Sequence, residues 1–247
     1  MRHLFVAAPI ALTFAIPVAA AVPKDAALHL THEWHVSLDA GGKVASLMDK
    51  GELAPAVREP LERAIRGWSF EPGRIDGKPV STETTLTLDV TFLRATDGNY
   101  TVRIDDARTG GIINAATSKK APPRFPRDAA RLGLVARVVV KANYDADGKV
   151  VAVEPQPDQG INSSKSLQAA TVAAVRKWTV DPERVGGHGV AASVMVPICY
   201  TVTDGRAPPD FDCAWTPPGS RSKIDNGGAF ALAPAAKLQT DVIGRTL

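Results

Sequence analysis

Few of the 247 residues carry reactive chemistry, and their spacing suits turns and crosslinks better than a reaction. Cys199 and Cys213 are the only cysteines. In an oxidising compartment they can pair in one way, closing a short loop; the alternative is two unpaired thiols. No CxxC motif or zinc-type cysteine cluster is present. His29, His32 and His35 are spaced three apart, and three histidines can ligate a metal. Trp34 to Leu38 reads as a strand, however, and residues three apart on a strand face opposite sides. They are read as solvated side chains, and no metal site is assigned. Asp145, Asp147 and Gly148 look like the start of a calcium loop but lack its other ligands, so turn chemistry accounts for them. Ser163-Ser164 stands where a helix N-cap is needed. The chain has no GxSxG elbow, P-loop or dinucleotide glycine fingerprint, and its carboxylates are scattered. No catalytic residue and no cofactor is expected, and the chain reads as a nonenzymatic protein.

The elements that position these residues follow from periodicity. Val135 to Tyr144 is a β-rich run with partial alternation, Asp147-Gly148 is a hairpin turn, and Val150 to Val153 is the returning strand. Leu167, Ala170, Val172, Ala174, Val175 and Trp178 recur at helical spacing. Asp181-Pro182 ends that helix, and Gly189 to Thr203 is the last strand.

The same order occurs earlier in the chain. Trp34 to Val44 parallels Val140 to Val150, and Ala64 to Pro72 parallels Ala174 to Pro182. Trp68, Pro72 and Gly77 fall on Trp178, Pro182 and Gly187, with a numbering offset of 110 there and 106 at the hairpin. Strands are expected near Glu33–Leu38 and Lys43–Met48, a helix from about Pro55 to Gly67, and a strand over Thr82–Arg94. Asp97-Gly98 turns the chain into an extra strand, Tyr100–Asp105. Trp68 and Trp178, at equivalent helix ends, are expected to pack into the core rather than form an exposed platform.

Composition agrees with a soluble globular protein: 45% hydrophobic and 22% charged, with a net charge of +3 from mixed signs. No Lys/Arg block implies a nucleic-acid partner. Arg2 and His3 precede an apolar run from Leu4 to Val18, and Ala19-Ala20-Ala21 offers a cleavage site. This reads as a signal peptide over residues 1–21; the alternative is a retained anchor, since Leu4 to Val22 is just long enough to span a bilayer. Residues 109–121 read as a linker. The tail over 204–247 is rich in Pro, Gly, Ala and Ser, and is expected to be largely disordered past Pro217.

Residues 122–203 resemble the C-terminal domain of TonB, the periplasmic end of the Gram-negative energy transducer. The positions that carry the resemblance are Phe125-Pro126, Ala129-Ala130, Asp147-Gly148, Arg176-Lys177-Trp178, Val180, Pro182, Gly187 and Pro197. They cover about a third of the chain. Residues 28–108 read as a diverged copy without the Pro-aromatic-Pro opening. The expected fold class is α+β: two tandem units, each an antiparallel three-stranded sheet with one helix packed on it.

The resemblance implies that the last strand takes a segment of an outer-membrane receptor as an added strand. A small three-stranded unit leaves such an edge unpaired. Pro197 removes one donor there, which suits an edge; the alternative is that the first repeat or a second chain covers this edge. The partner-binding positions assigned on this basis are Val190, Ser193, Val194, Met195 and Val196. A strict transducer also needs, by resemblance, an anchor that engages the ExbB–ExbD motor and a long Pro-rich spacer. Neither is evident here, and a linker of about ten residues reaches at most about 3.5 Å per residue. The expectation is a periplasmic binding module for a protein partner in the cell envelope, an outer-membrane receptor or a cell-wall component. The alternative is an inner-membrane energy transducer with a single N-terminal anchor. A homodimer stays open.

Overall fold

The computed structural model describes residues 28–94, 100–113, 121–157, 164–201, 211–217 and 220–247. The expected signal peptide and the Asp97-Gly98 turn lie outside them. No helix among the described residues is long and apolar enough to cross a membrane.

The first half opens with β1 (Leu28–Leu38), β2 (Val44–Asp49) and helix α1 (Pro55–Arg66). Two long strands follow, β3 (Thr82–Arg94) and β4 (Tyr100–Gly110). Their order in the sheet is β4-β3-β1-β2, all antiparallel. Alternation decides which face of β1 is buried: Trp34, Val36 and Leu38 point inward. Leu61 and Ile65, four apart on α1, pack on them with Trp68, Leu86, Leu88 and Val90.

The second half begins with a short helix, α2 (Arg127–Arg131), then β5 (Ala136–Tyr144), β6 (Val150–Gln156), helix α3 (Lys165–Val175) and β7 (Ala192–Tyr200). Ser164 caps α3, its hydroxyl accepting from the Leu167 N–H at 3.3 Å. Leu167, Thr171 and Val175 form the buried stripe of α3. Thr171 is satisfied there by donating to the Leu167 carbonyl at 2.9 Å and pairing with the Tyr200 hydroxyl at 2.8 Å. The helix stops at Val175, well before Asp181-Pro182, because the chain turns to bury Trp178.

The tail departs most from expectation. Residues 220–247 are not loose coil but a strap across both halves. Phe230–Ala231, here β8, pairs with β7, so the second sheet runs β6-β5-β7-β8 and gains a fourth strand. Lys237–Leu238 pairs with Phe70–Glu71, and Leu247 exchanges backbone hydrogen bonds with Val102. Ile224, Ala236 and Val242 are almost fully buried. Composition hid this, because the strap is held by many small contacts distant in sequence.

The halves are joined directly. Within the expected linker, Thr109 and Gly110 finish β4, and Ile112–Ile113 pairs with Val180–Asp181. Arg184–Val185 pairs with Thr82–Glu83, extending the first sheet with second-half residues. Lys50 Nζ reaches Asp181 at 2.6 Å.

Candidate partner-binding edge

On β7 the backbone alternates between β5 and the outer edge. The outward groups are identified by their partners. The Ser193 carbonyl accepts from Leu232 N–H at 3.1 Å, and the Pro197 carbonyl from Gly227 N–H at 2.7 Å. The Cys199 N–H donates to Asn226 Oδ1 at 3.0 Å. The odd-numbered residues therefore face outward, and the donor that Pro197 lacks is missing from the outer edge, not from the ladder with β5. That is why a proline sits inside a regular nine-residue strand.

The sequence reading leaves this edge either to a partner or to a cover from the first repeat or a second chain, and does not foresee the tail there. In this chain the strap lies along it, with Val194 opposite Ala231 and Met195 opposite Phe230. The strap also covers the sheet face turned away from α3. Trp215 and Ile224 exchange backbone hydrogen bonds and pack with Val139, Met195 and Phe230. Phe230 meets Trp215 edge-on, with ring centroids 6.5 Å apart. Cys199 and Cys213 are disulfide-bonded, with Cα atoms 5.5 Å apart, which ties the start of the tail to β7.

The other assigned positions divide by parity. Ser193 and Met195 lie on the strap-covered face, and Ser193 donates to Asn143 Oδ1 at 2.7 Å. Val194 and Val196 are fully buried beneath α3, and their backbone groups face β5, so they offer an edge partner neither side chain nor backbone. Val190 lies outside β7, and its N–H donates to the Glu183 carbonyl at 2.9 Å.

Trp178 is buried, its indole N–H donating to the Ala121 carbonyl at 3.3 Å, and Trp68 is buried at the equivalent helix end. Pro72 and Pro182 pack over Gly42 and Gly148. Gly77 and Gly187 adopt φ of 76° and 83° in tight turns, which favours glycine there. Phe125 stacks edge-on against Tyr200 at 5.4 Å, and Pro126 leads into α2. A cleft of about 250 Å³ with a mixed polar and apolar lining opens where β7 ends, bounded by Phe125, Trp178, Ile198, Tyr200, Thr201 and Asn226.

Sequence reasoning missed Glu183, which is 3% exposed. Its Oε1 accepts from the Thr84 hydroxyl at 2.7 Å and from Ala236 N–H at 3.1 Å; Oε2 accepts from Ala235 N–H at 2.6 Å. One carboxyl group thus joins the first half, the second half and the strap. Burial pushes its pKa up, and the donated hydrogen bonds offset part of that rise. Burial and the Glu183 charge together push the Tyr144 hydroxyl up to about 12.

The histidines do not converge. His29 is exposed on one face of β1, while His32 turns to the other, bonding Asp49 Oδ1 at 2.5 Å and meeting Trp34 edge-on. His32 is therefore not a solvated side chain, since its parity places it beside Trp34. No group of three His, Cys, Asp or Glu is placed to hold a metal ion among the described residues.

Residues 121–202 match the family model described as the Gram-negative bacterial TonB protein C-terminal. Two curated relatives, each named Protein TonB, come from Xanthomonas campestris pv. campestris strains B100 and ATCC 33913. Each is 27% identical over 93 residues, which is 38% of this chain and 40% of the relative. The match therefore spans less than half the length of these relatives. No solved structure matches the chain.

Proposed function

We propose, on the premise that residues 121–202 are a TonB C-terminal domain, that this chain binds a protein of the Gram-negative envelope by strand addition at the outer edge of β7. One observation carries the reading: that edge already holds an extended antiparallel segment, presented to it by the chain's own tail. The backbone groups of Ser193, Met195, Pro197 and Cys199 supply affinity, and the flanking side chains supply selectivity. The expected location is the periplasm.

We further read the first half as a diverged copy of the second. The support is geometric. Gly42 and Gly148 make the same turn: the Phe70 N–H donates to the Gly42 carbonyl as the Val180 N–H donates to that of Gly148. Lys43 N–H bonds Asp39 Oδ1 as Lys149 N–H bonds Asp145 Oδ1, both at 2.9 Å. In this reading β4 occupies the edge of β3 that corresponds to the outer edge of β7. The first copy is closed and acts as a scaffold.

The resemblance to TonB supports a second reading, that of an anchored energy transducer coupling proton motive force to outer-membrane transport. Both readings use the same edge. A photo-crosslinking side chain at Ser193 is expected to trap an envelope protein in living cells, whereas one at exposed Val151, on the opposite edge strand, is not. Equal yield at both positions would refute the edge assignment.

A further inference from the structure

We infer that the strap segment Asn226–Leu232 is a built-in stand-in for the partner's strand, which the partner must displace and whose side-chain pattern it shares. This rests on the reading of β7 as the partner edge.

The comparison with β3 sets the scale. The outer edge of β3 is closed by β4 through ten register pairs, from Thr85 opposite Gly110 to Arg94 opposite Tyr100. The outer edge of β7 holds two register pairs, Val194 with Ala231 and Met195 with Phe230. Beyond Met195 the outward groups are served by makeshift partners. The Pro197 carbonyl takes the N–H of Gly227, whose φ of 72° is not that of a strand. The Cys199 N–H takes a side-chain oxygen of Asn226 in place of a backbone carbonyl. Consecutive glycines at 227 and 228 lose more conformational freedom on ordering than other residues would. A continuous extended segment opposite Ser193–Cys199 would form regular pairs where the strap does not.

The strap also records what such a segment must look like. Ala229 and Ala231 pack on the second core, while Phe230 points to the other face against Met195 and Trp215. Position 231 has a hard limit. A Cβ placed on Gly110, at the end of β4, would lie 2.3 Å from the Ala231 Cβ. The Ala231 methyl thus fills the space left by a missing side chain, and a larger residue there would strike the β4 backbone. The partner strand is therefore an antiparallel peptide with a small residue opposite Val194 and a large apolar one opposite Met195.

The test uses the full chain and a fluorescein-labelled peptide with the sequence of residues 224–233. In the variant Gly227→Pro/Leu232→Pro the strap loses the N–H groups that donate to the Pro197 and Ser193 carbonyls. The peptide is expected to bind this variant at least about tenfold more tightly than the unaltered chain, because the edge is no longer preoccupied. A second peptide with leucine at the position of Ala231 is expected to lose that binding. Equal affinity for both proteins would overturn the inference. If neither binds while the variant's Cys199 amide exchanges freely, the edge is open but takes no strand, and the reading beneath the inference fails. If neither binds and that amide stays protected, the strap is not displaceable and the inference alone fails. Should the variant not fold, hydrogen exchange on the unaltered chain decides. Gly227 and Leu232 amides are expected to exchange at least about a hundredfold faster than the amides pairing β4 with β3. Equal protection would overturn the inference.

Discussion

The Thr84 hydroxyl donates to Glu183 Oε1 at 2.7 Å, across the junction of the two halves. Both residues are buried, and the same carboxyl group holds the strap through Ala235 and Ala236. Its pKa in the folded chain is raised above the ordinary 4.5, first by burial. A carboxyl group with a raised folded pKa contributes stability that is fully present below its unfolded pKa and lost as pH rises through the folded value. The gap in melting temperature between the unaltered chain and Glu183→Gln should therefore shift against the unaltered chain as pH rises from about 4 to 8. A gap independent of pH would contradict this linkage.

The two Asp-turn glycines should be intolerant of any side chain. A Cβ on Gly42 would sit 1.8 Å from the Phe70 carbonyl oxygen, and one on Gly148 would sit 2.0 Å from that of Val180. Gly42→Ala and Gly148→Ala are each expected to destabilise by more than about 2 kcal/mol in chemical denaturation. Gly187→Ala meets no atom within 4 Å and carries only the penalty of its φ of 83°, about 1–2 kcal/mol. If Gly42→Ala were harmless while Gly148→Ala unfolded the chain, the equivalence of the two turns would fail.

The disulfide closes a sequence separation of 14 residues. Alkylation of the protein from its native envelope should find no free thiol. Cys213→Ser should lower stability by about 3 kcal/mol by the loop-entropy account. Two reactive thiols in the native protein would exclude the bond.

Ile224 is 1% exposed and packs with Val139 and Trp215 on the face of the second sheet away from α3. Ile224→Ala should cost about 2–5 kcal/mol, as expected for truncating a buried aliphatic side chain. A loss under about 0.5 kcal/mol is what a loosely held tail would give.

Much of the architecture was legible where one strand or one helix decides the pattern. β3 spans Thr82–Arg94 as its β-branched alternation implied, and Ser164 caps α3 as its position implied. The strap was not legible from its own residues, because Gly, Ala and Pro carry little periodicity. Its signature lay elsewhere. Val138, Val139 and Val140 are consecutive and all buried, which a strand covered on one face does not allow. That run required a cover on the second face, and only the tail was left to provide it. The interrupted alternation of β5 was a sign of burial on both sides. The candidate edge was legible from Pro197, but its occupant was not. Glu183 escaped notice because its partners, Thr84, Ala235 and Ala236, are far away in the chain.

The most direct measurement is amide hydrogen exchange of the full chain alone and in complex with the envelope protein trapped through Ser193. The account predicts that the Cys199 amide stays protected in both states, while those of Gly227 and Leu232 lose protection in the complex. The partner's strand would then have replaced the strap on β7. Unchanged protection of Gly227 and Leu232 in a saturated complex would contradict the account, because the partner would then bind without taking that edge.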